Sequence, residues 1–167
     1  MVDIMNFIFR ALKSRHPFEY SKITDQLYVA AWPTGEDYDV LKELGVRLVI
    51  NMDWIPADEK LNEPPLRVLA LTEIDTPLTP MSMKNVWKGV NQAQEIFDDG
   101  DVVMVYCKGG VHRSVVMACC ILISQGYTAE EAMARVKERR PVADPYTDHF
   151  KSRILKFEEE WNANNGG

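Results

Sequence analysis

Apolar residues along this chain fall into short continuous runs and longer runs at helical spacing, and the two kinds alternate. Leu27–Ala31 reads as a strand. Thr34 and Asp37 then form a capping pair for a helix carrying Tyr38, Leu41 and Leu44, closed by Gly45. Val46–Asn51 is a second buried strand. Asp53–Pro65 is polar, holds three prolines and reads as a loop. Arg67–Ile74 is a third strand that ends at Asp75. Thr79 and Pro80 suit the cap and first position of a helix with Val86, Trp87, Val90, Ala93 and Phe97 on one face. Asp101–Tyr106 is a short apolar strand, followed by a glycine-containing loop and a helix from Ser114 to Gln125 that is apolar nearly all round and therefore buried. Thr128 and Glu131 repeat the capping-box pattern for a helix ending near Pro141. Asp144 and Pro145 open a last helix that carries Phe150, Ile154, Phe157 and Trp161.

Strands alternating with helices predict an α/β fold. The expected architecture is a single domain over residues 22–161, with a central, mainly parallel sheet of four to five strands flanked by helices on both faces. Residues 1–21 are expected to form an N-terminal helical arm, and 162–167 a flexible tail. Within the arm, residues 2–14 place Ile4, Met5, Phe7, Ile8, Phe9 and Leu12 beside Arg10, Lys13 and Arg15. Two readings follow: a helix packed on the domain surface, or an anchor lying in a membrane interface. Asp3 and the lack of a basic residue before the short apolar stretch argue against a signal peptide. No apolar run approaches the roughly 20 residues of a membrane span.

A hydrophobic content of 46% in 167 residues is enough for one core. Nineteen basic against 25 acidic side chains leave a net charge of −6, which argues against nucleic acid as the main partner. The cysteines are Cys107, Cys119 and Cys120; an odd count with two adjacent does not make a disulfide framework and points to a reducing, cytoplasmic setting. Cys119 and Cys120 on a buried helix read as small core residues. The chain is expected to act as a monomer.

The chemistry concentrates in Cys107-Lys108-Gly109-Gly110-Val111-His112-Arg113-Ser114, between a buried strand and a buried helix. Five residues between cysteine and arginine suit a loop wrapped round one tetrahedral anion, and α/β sheets collect ligands at the carboxyl ends of their strands. Gly109 and Gly110 allow the backbone to turn its N–H groups inward, and the helix beginning at Ser114 adds its positive end. That field lowers the thiol below its free value of about 8.5. Arg113 offers two parallel donors to phosphoryl oxygens. The candidate phosphate-binding set is therefore Lys108, Gly109, Gly110, Val111, His112 and Arg113, with Cys107 as nucleophile and Ser114 easing its departure. Such a site works through a cysteinyl-phosphate and needs neither metal nor cofactor. A proton donor is required for the leaving oxygen. Asp75, after the third strand, is the favoured acid, and Asp53 in Asn51-Met52-Asp53-Trp54 is its competitor.

Cys107 to Ser114 matches the Cys-x2-Gly-x2-Arg-Ser/Thr signature and resembles the protein tyrosine phosphatases. The rest looks like their small dual-specificity branch. Asp75 lies 32 residues before Cys107, a separation like that branch's acid-to-nucleophile spacing, and Leu27-Tyr28-Val29, Gly45-Val46, Arg140-Pro141 and the Phe150 to Glu158 helix fall where such proteins carry similar residues. The resemblance spans residues 22–161. It implies a protein-tyrosine or dual-specificity phosphatase acting on phosphorylated protein or a small phosphomonoester.

The sequence departs from the pattern in three places. Tyr106 stands where the family usually has histidine, and His112 where serine or glycine is commoner. Cys120-Ile121-Leu122-Ile123 replaces the Ala-Tyr-Leu-Met run of many mitogen-kinase phosphatases. Lys108 beside the nucleophile and the amphipathic start motivate a second reading, a phosphoinositide or other non-protein phosphatase. A third is a catalytically dead phosphate-binding adaptor, against which the intact Cys107 and Arg113 argue. Asp75 and the paired glycines favour phosphate-ester cleavage over sulfur transfer or arsenate reduction.

Overall fold

The computed structural model describes residues 18–71 and 79–166. Five strands form one sheet in the order β1 (Tyr20–Thr24), β2 (Leu27–Ala31), β5 (Val102–Cys107), β3 (Val46–Asn51), β4 (Arg67–Ala70). β2, β5, β3 and β4 pair in parallel, and β1 adds an antiparallel edge. The expected α/β architecture is thus the observed one. β1 is an addition that the sequence pattern did not reveal, and it starts at Tyr20, so residues 20 and 21 belong to the sheet and not to the helical arm expected over 1–21; in Tyr-Ser-Lys-Ile-Thr only Ile23 is buried, so the strand carries almost no apolar signal.

The helices are α1 (Tyr38–Glu43), α2 (Met83–Asp98), α3 (Arg113–Ser124), α4 (Ala129–Arg139) and α5 (Asp148–Asn165). Both capping boxes form: Thr34 with Asp37 opens a 3-10 turn that leads into α1, and Thr128 with Glu131 opens α4. Strand alternation sorts the core into two layers. Leu27, Val29, Leu48, Ile50, Val103, Val105 and Cys107 face α2 to α5. Tyr28, Ala30, Val49, Met104 and Tyr106 face the layer holding Tyr38, Leu41 and Leu61. α3 is buried from Ser114 to Ile123, which explains its all-round apolar sequence.

Several boundaries shift. α2 starts at Met83, capped by the Ser82 hydroxyl accepting from the Asn85 amide, and not at Thr79–Pro80. Serine stands directly before the helical run and is as good a cap as threonine, while Thr79 forms an isolated bridge. Asp144 does not open α5. Its carboxylate accepts from the Tyr146 and Thr147 amides and the Thr147 hydroxyl, building the turn before the helix. α5 then runs to Asn165, past the tail boundary expected at 162. β4 ends at Ala70. The rest of the expected third strand from 72, Asp75, and the helix expected at 2–14 lie outside the described residues.

β5, buried along its whole length, is the centre of the sheet. The chain reaches β3 from β2 through α1 on one face and returns from β4 to β5 through α2 on the other. The carboxyl end of β5, with Cys107 as its last residue, therefore lies where the two crossovers diverge, the position at which open α/β sheets bind ligands. No helix among the described residues is long and apolar enough to cross a membrane.

Candidate active site

Cys107 leaves the sheet under tight restraint. Its carbonyl accepts from the Trp32 amide at 3.0 Å, and the carbonyl of Tyr106 accepts from the Met52 amide at 2.9 Å. The chain turns through Lys108 to His112 and enters α3 at Arg113. Gly110 takes a positive φ of 63°, where a Cβ would come within 2.7 Å of the Ala30 carbonyl oxygen and of the Arg140 guanidinium. Glycine is required there on both counts. Gly109 is not in the left-handed region, so only one of the paired glycines meets a conformational demand.

The loop is held from behind by Arg140, which is 3% exposed. Its Nε donates to the Gly110 carbonyl at 2.7 Å, Nη2 to the Gly109 carbonyl at 3.2 Å and Nη1 to the Ser21 hydroxyl at 3.0 Å. With these carbonyls turned onto Arg140, the amides that follow are left on the inner side, which is the polarity an anion nest needs. Helix geometry alone assigns Arg140 to its helix end. Its contact with the loop is tertiary, and nothing in the sequence pattern pointed to it. The Asp144 amide adds a bond to the Val111 carbonyl at 2.9 Å.

Cys107 Sγ lies 3.2 Å from Ser114 Oγ, on the first turn of α3. Burial pushes the thiol up. The Ser114 hydroxyl and amide, the Arg113 charge and the Val111 amide together outweigh it, and the thiol ends below its ordinary value. Cys119 and Cys120, wholly buried with no such donors, are pushed well up by burial, as inert core thiols are. Ser114→Ala removes the hydroxyl that lies 3.2 Å from the Cys107 sulfur. The pH midpoint of Cys107 alkylation by iodoacetamide is expected to lie below that of a free thiol in the wild type and to move to higher pH in the variant. An unmoved midpoint would show that the hydroxyl does not stabilise the thiolate.

Arg113 reaches across the mouth to the β3 loop. Its Nη1 donates to the Met52 carbonyl at 3.1 Å and lies 3.5 Å from Asp53 Oδ1. Asp53 is 2% exposed, and the same Oδ1 accepts from the Trp54 amide at 2.7 Å. Asn51 fixes this loop, accepting from the Asp53 amide at 2.8 Å and donating to the Ile55 carbonyl at 2.9 Å. The competitor acid is thus a buried carboxylate facing the arginine, a site suited to orienting a cation more than to meeting a leaving group.

His112 lies at the rim, stacked on Phe150 with ring centroids 4.5 Å apart, and its Nε2 is 3.7 Å from Asp144 Oδ2. Lys108 is exposed on the same rim. Of the other aromatics, Trp87 and Trp161 pack with Phe157, whereas Trp54 stands 52% exposed beside Asp53. Among the described residues no three His, Cys, Asp or Glu side chains gather as a metal site.

Residues 27–160 match the family model described as dual specificity phosphatase, catalytic domain. The chain belongs to this family. Mouse dual specificity phosphatase 28 is 22% identical over 152 residues, covering 88% of each chain. The Drosophila melanogaster dual specificity protein phosphatase Mpk3 is 34% identical over 68 residues, which are 40% of this chain and only 16% of that one. Among solved structures, human DUSP28 superposes with a TM-score of 0.77 at 23% identity, covering 88% of this chain and 97% of that one. PTPMT1 in complex with PI(5)P superposes at 0.78 with 22% identity, covering 87% and 97%. This phosphatase is therefore a cysteine-based enzyme of the small dual-specificity type, as the loop signature implied.

Proposed function

We propose that this phosphatase hydrolyses phosphotyrosine, and phosphoserine or phosphothreonine beside it, through a cysteinyl-phosphate on Cys107. The observation that carries the reading is the convergence on one point of the Cys107 sulfur, the Ser114 hydroxyl 3.2 Å from it, and Arg113 anchored at Met52. The Cys107 thiolate attacks phosphorus while Arg113 and the loop amides of Lys108 to His112 hold the equatorial oxygens. The P–O bond breaks as Asp75 gives its proton to the departing oxygen. Water then attacks the phosphorus as the Asp75 carboxylate takes its proton, the P–S bond breaks, and Ser114 donates to the returning thiolate. Positive charge comes from arginine and backbone dipoles, so the steps need no metal. A free nucleophilic thiol requires a reducing compartment, consistent with a cytoplasmic enzyme.

A second reading, hydrolysis of a phosphoinositide or other non-protein phosphate, has the exposed Lys108 on the rim and the similarity to PTPMT1, whose solved structure contains PI(5)P. Turnover of purified protein on phosphotyrosine, phosphoserine and phosphothreonine peptides, soluble inositol phosphates and phosphoinositide vesicles separates the two. The proposal expects the highest kcat/KM on phosphopeptides. Preference for inositol phosphates and vesicles would replace it with the second reading, and no turnover of any ester would leave the adaptor.

A further inference from the structure

Two buried polar atoms behind the site have no hydrogen-bond partner among the described residues, and they are complementary. They are Tyr106 Oη and Asp53 Oδ2. A phenol is a donor and an ionised carboxylate accepts only. Leaving either one dry and unpaired carries the full desolvation penalty of that group, and native interiors rarely tolerate it. The backbone brings the two together. Tyr106 is the register partner of Asn51 on the neighbouring parallel strand, and the Met52 amide donates to the Tyr106 carbonyl. The Asn51 side chain in turn holds the Asp53 amide. Tyr106 is wholly buried in the layer opposite Cys107, and its hydroxyl is near enough to the Asp53 and Asp58 carboxylates to feel both charges.

We propose that the Tyr106 hydroxyl donates to Asp53 Oδ2 through one buried water, and that the pair fixes Arg113 in its phosphate-clamping position. Asp53 then has each oxygen assigned: Oδ1 faces Arg113 and the Trp54 amide, and Oδ2 takes the phenol. Tyr106 is a positioning residue, two side chains removed from the phosphate. Burial, with the charges of Asp53 and Asp58 adding to it, holds the phenol well above its ordinary value, so it remains a donor throughout the working pH range. This assigns a function to the tyrosine that departs from the family's usual histidine before the nucleophile. Asp58, the other carboxylate whose charge reaches Tyr106, caps the turn at Lys60 and provides the control.

The inference rests on the anion site proposed above, and its test uses binding of tungstate, which requires no turnover. Tungstate affinity is measured by calorimetry for wild type, for Tyr106→Phe, Asp53→Asn, Asp58→Asn and Arg113→Lys alone, and for Tyr106→Phe combined with each of the other three. Tyr106→Phe is expected to weaken tungstate about five- to tenfold, the effect of one buried hydrogen bond, and its combination with Asp53→Asn to be no worse than Asp53→Asn alone. In the Arg113→Lys background Tyr106→Phe is expected to have no further effect, because the fork it positions is gone; a merely structural hydroxyl would do equal damage there. Wild-type affinity in Tyr106→Phe, multiplying effects in its combination with Asp53→Asn, or coupling to Asp58→Asn in place of Asp53→Asn would each overturn the inference. Failure of the wild-type protein to bind tungstate at all would instead overturn the anion site itself.

Discussion

Cys107→Ser is expected to lose turnover on aryl phosphates by roughly 10⁴-fold or more, while still binding inorganic phosphate. The thiol is held below its ordinary value by Ser114, Arg113 and the Val111 amide against the penalty of burial, so its thiolate forms more readily than that of a free cysteine. A serine hydroxyl in the same place stays protonated, because no general base stands next to it in the described loop and the same field cannot lower an alcohol far enough. Everything that holds the anion survives the change. Gly110 keeps its turn, Arg140 keeps the Gly109 and Gly110 carbonyls, and Arg113 keeps its anchor at Met52. The measurement is steady-state turnover beside phosphate calorimetry. Turnover near wild type would remove Cys107 as nucleophile. Lost turnover together with lost phosphate binding, in a protein with an unchanged melting curve, would show that the loop does not cradle the anion.

The elements that build this loop were legible in the sequence because their signals are local. A run of apolar residues from Val102 to Tyr106 has no reading but a buried strand at that length, and ten consecutive buried residues of α3 follow from its uniformly apolar sequence. What was illegible depends on contacts between distant residues. β1 buries a single side chain, so nothing in Tyr20 to Thr24 marks it as a strand until β2 is there to pair with it. Arg140 looks like any basic residue ending a helix, and its bonds to Gly109 and Gly110 bridge some thirty positions of chain. Thr79 and Ser82 both suit a helix cap, and the structure uses Ser82. Asp53 shows the limit most clearly. Its place after a strand marked it as near the site, but its partner, Arg113, is sixty residues away, and that partner separates a positioning carboxylate from a proton donor.

That distinction sets the largest effect expected from a carboxylate. A general acid matters most when the leaving oxygen is strongly basic, because an unprotonated alkoxide or phenolate departs slowly. Asp75→Asn is expected to cost roughly 10²–10⁴ in rate on phenyl phosphate or phosphotyrosine, and far less on a fluorinated aryl phosphate whose phenolate leaves unaided. It should also abolish the alkaline fall in the pH–rate profile, since that fall reports the acid losing its proton. Asp53→Asn acts through Arg113, which holds the phosphoryl group whatever the leaving group, so its loss should be similar across the series and leave the alkaline limb in place. The two variants therefore give differently shaped plots of rate against leaving-group pKa: steep for Asp75→Asn, parallel to wild type for Asp53→Asn. If the steep plot belongs to Asp53→Asn, the buried carboxylate beside Arg113 is the proton donor after all and the assignment of Asp75 fails. If neither plot steepens, the proton comes from another group, and the spacing between Asp75 and Cys107 was a coincidence of sequence.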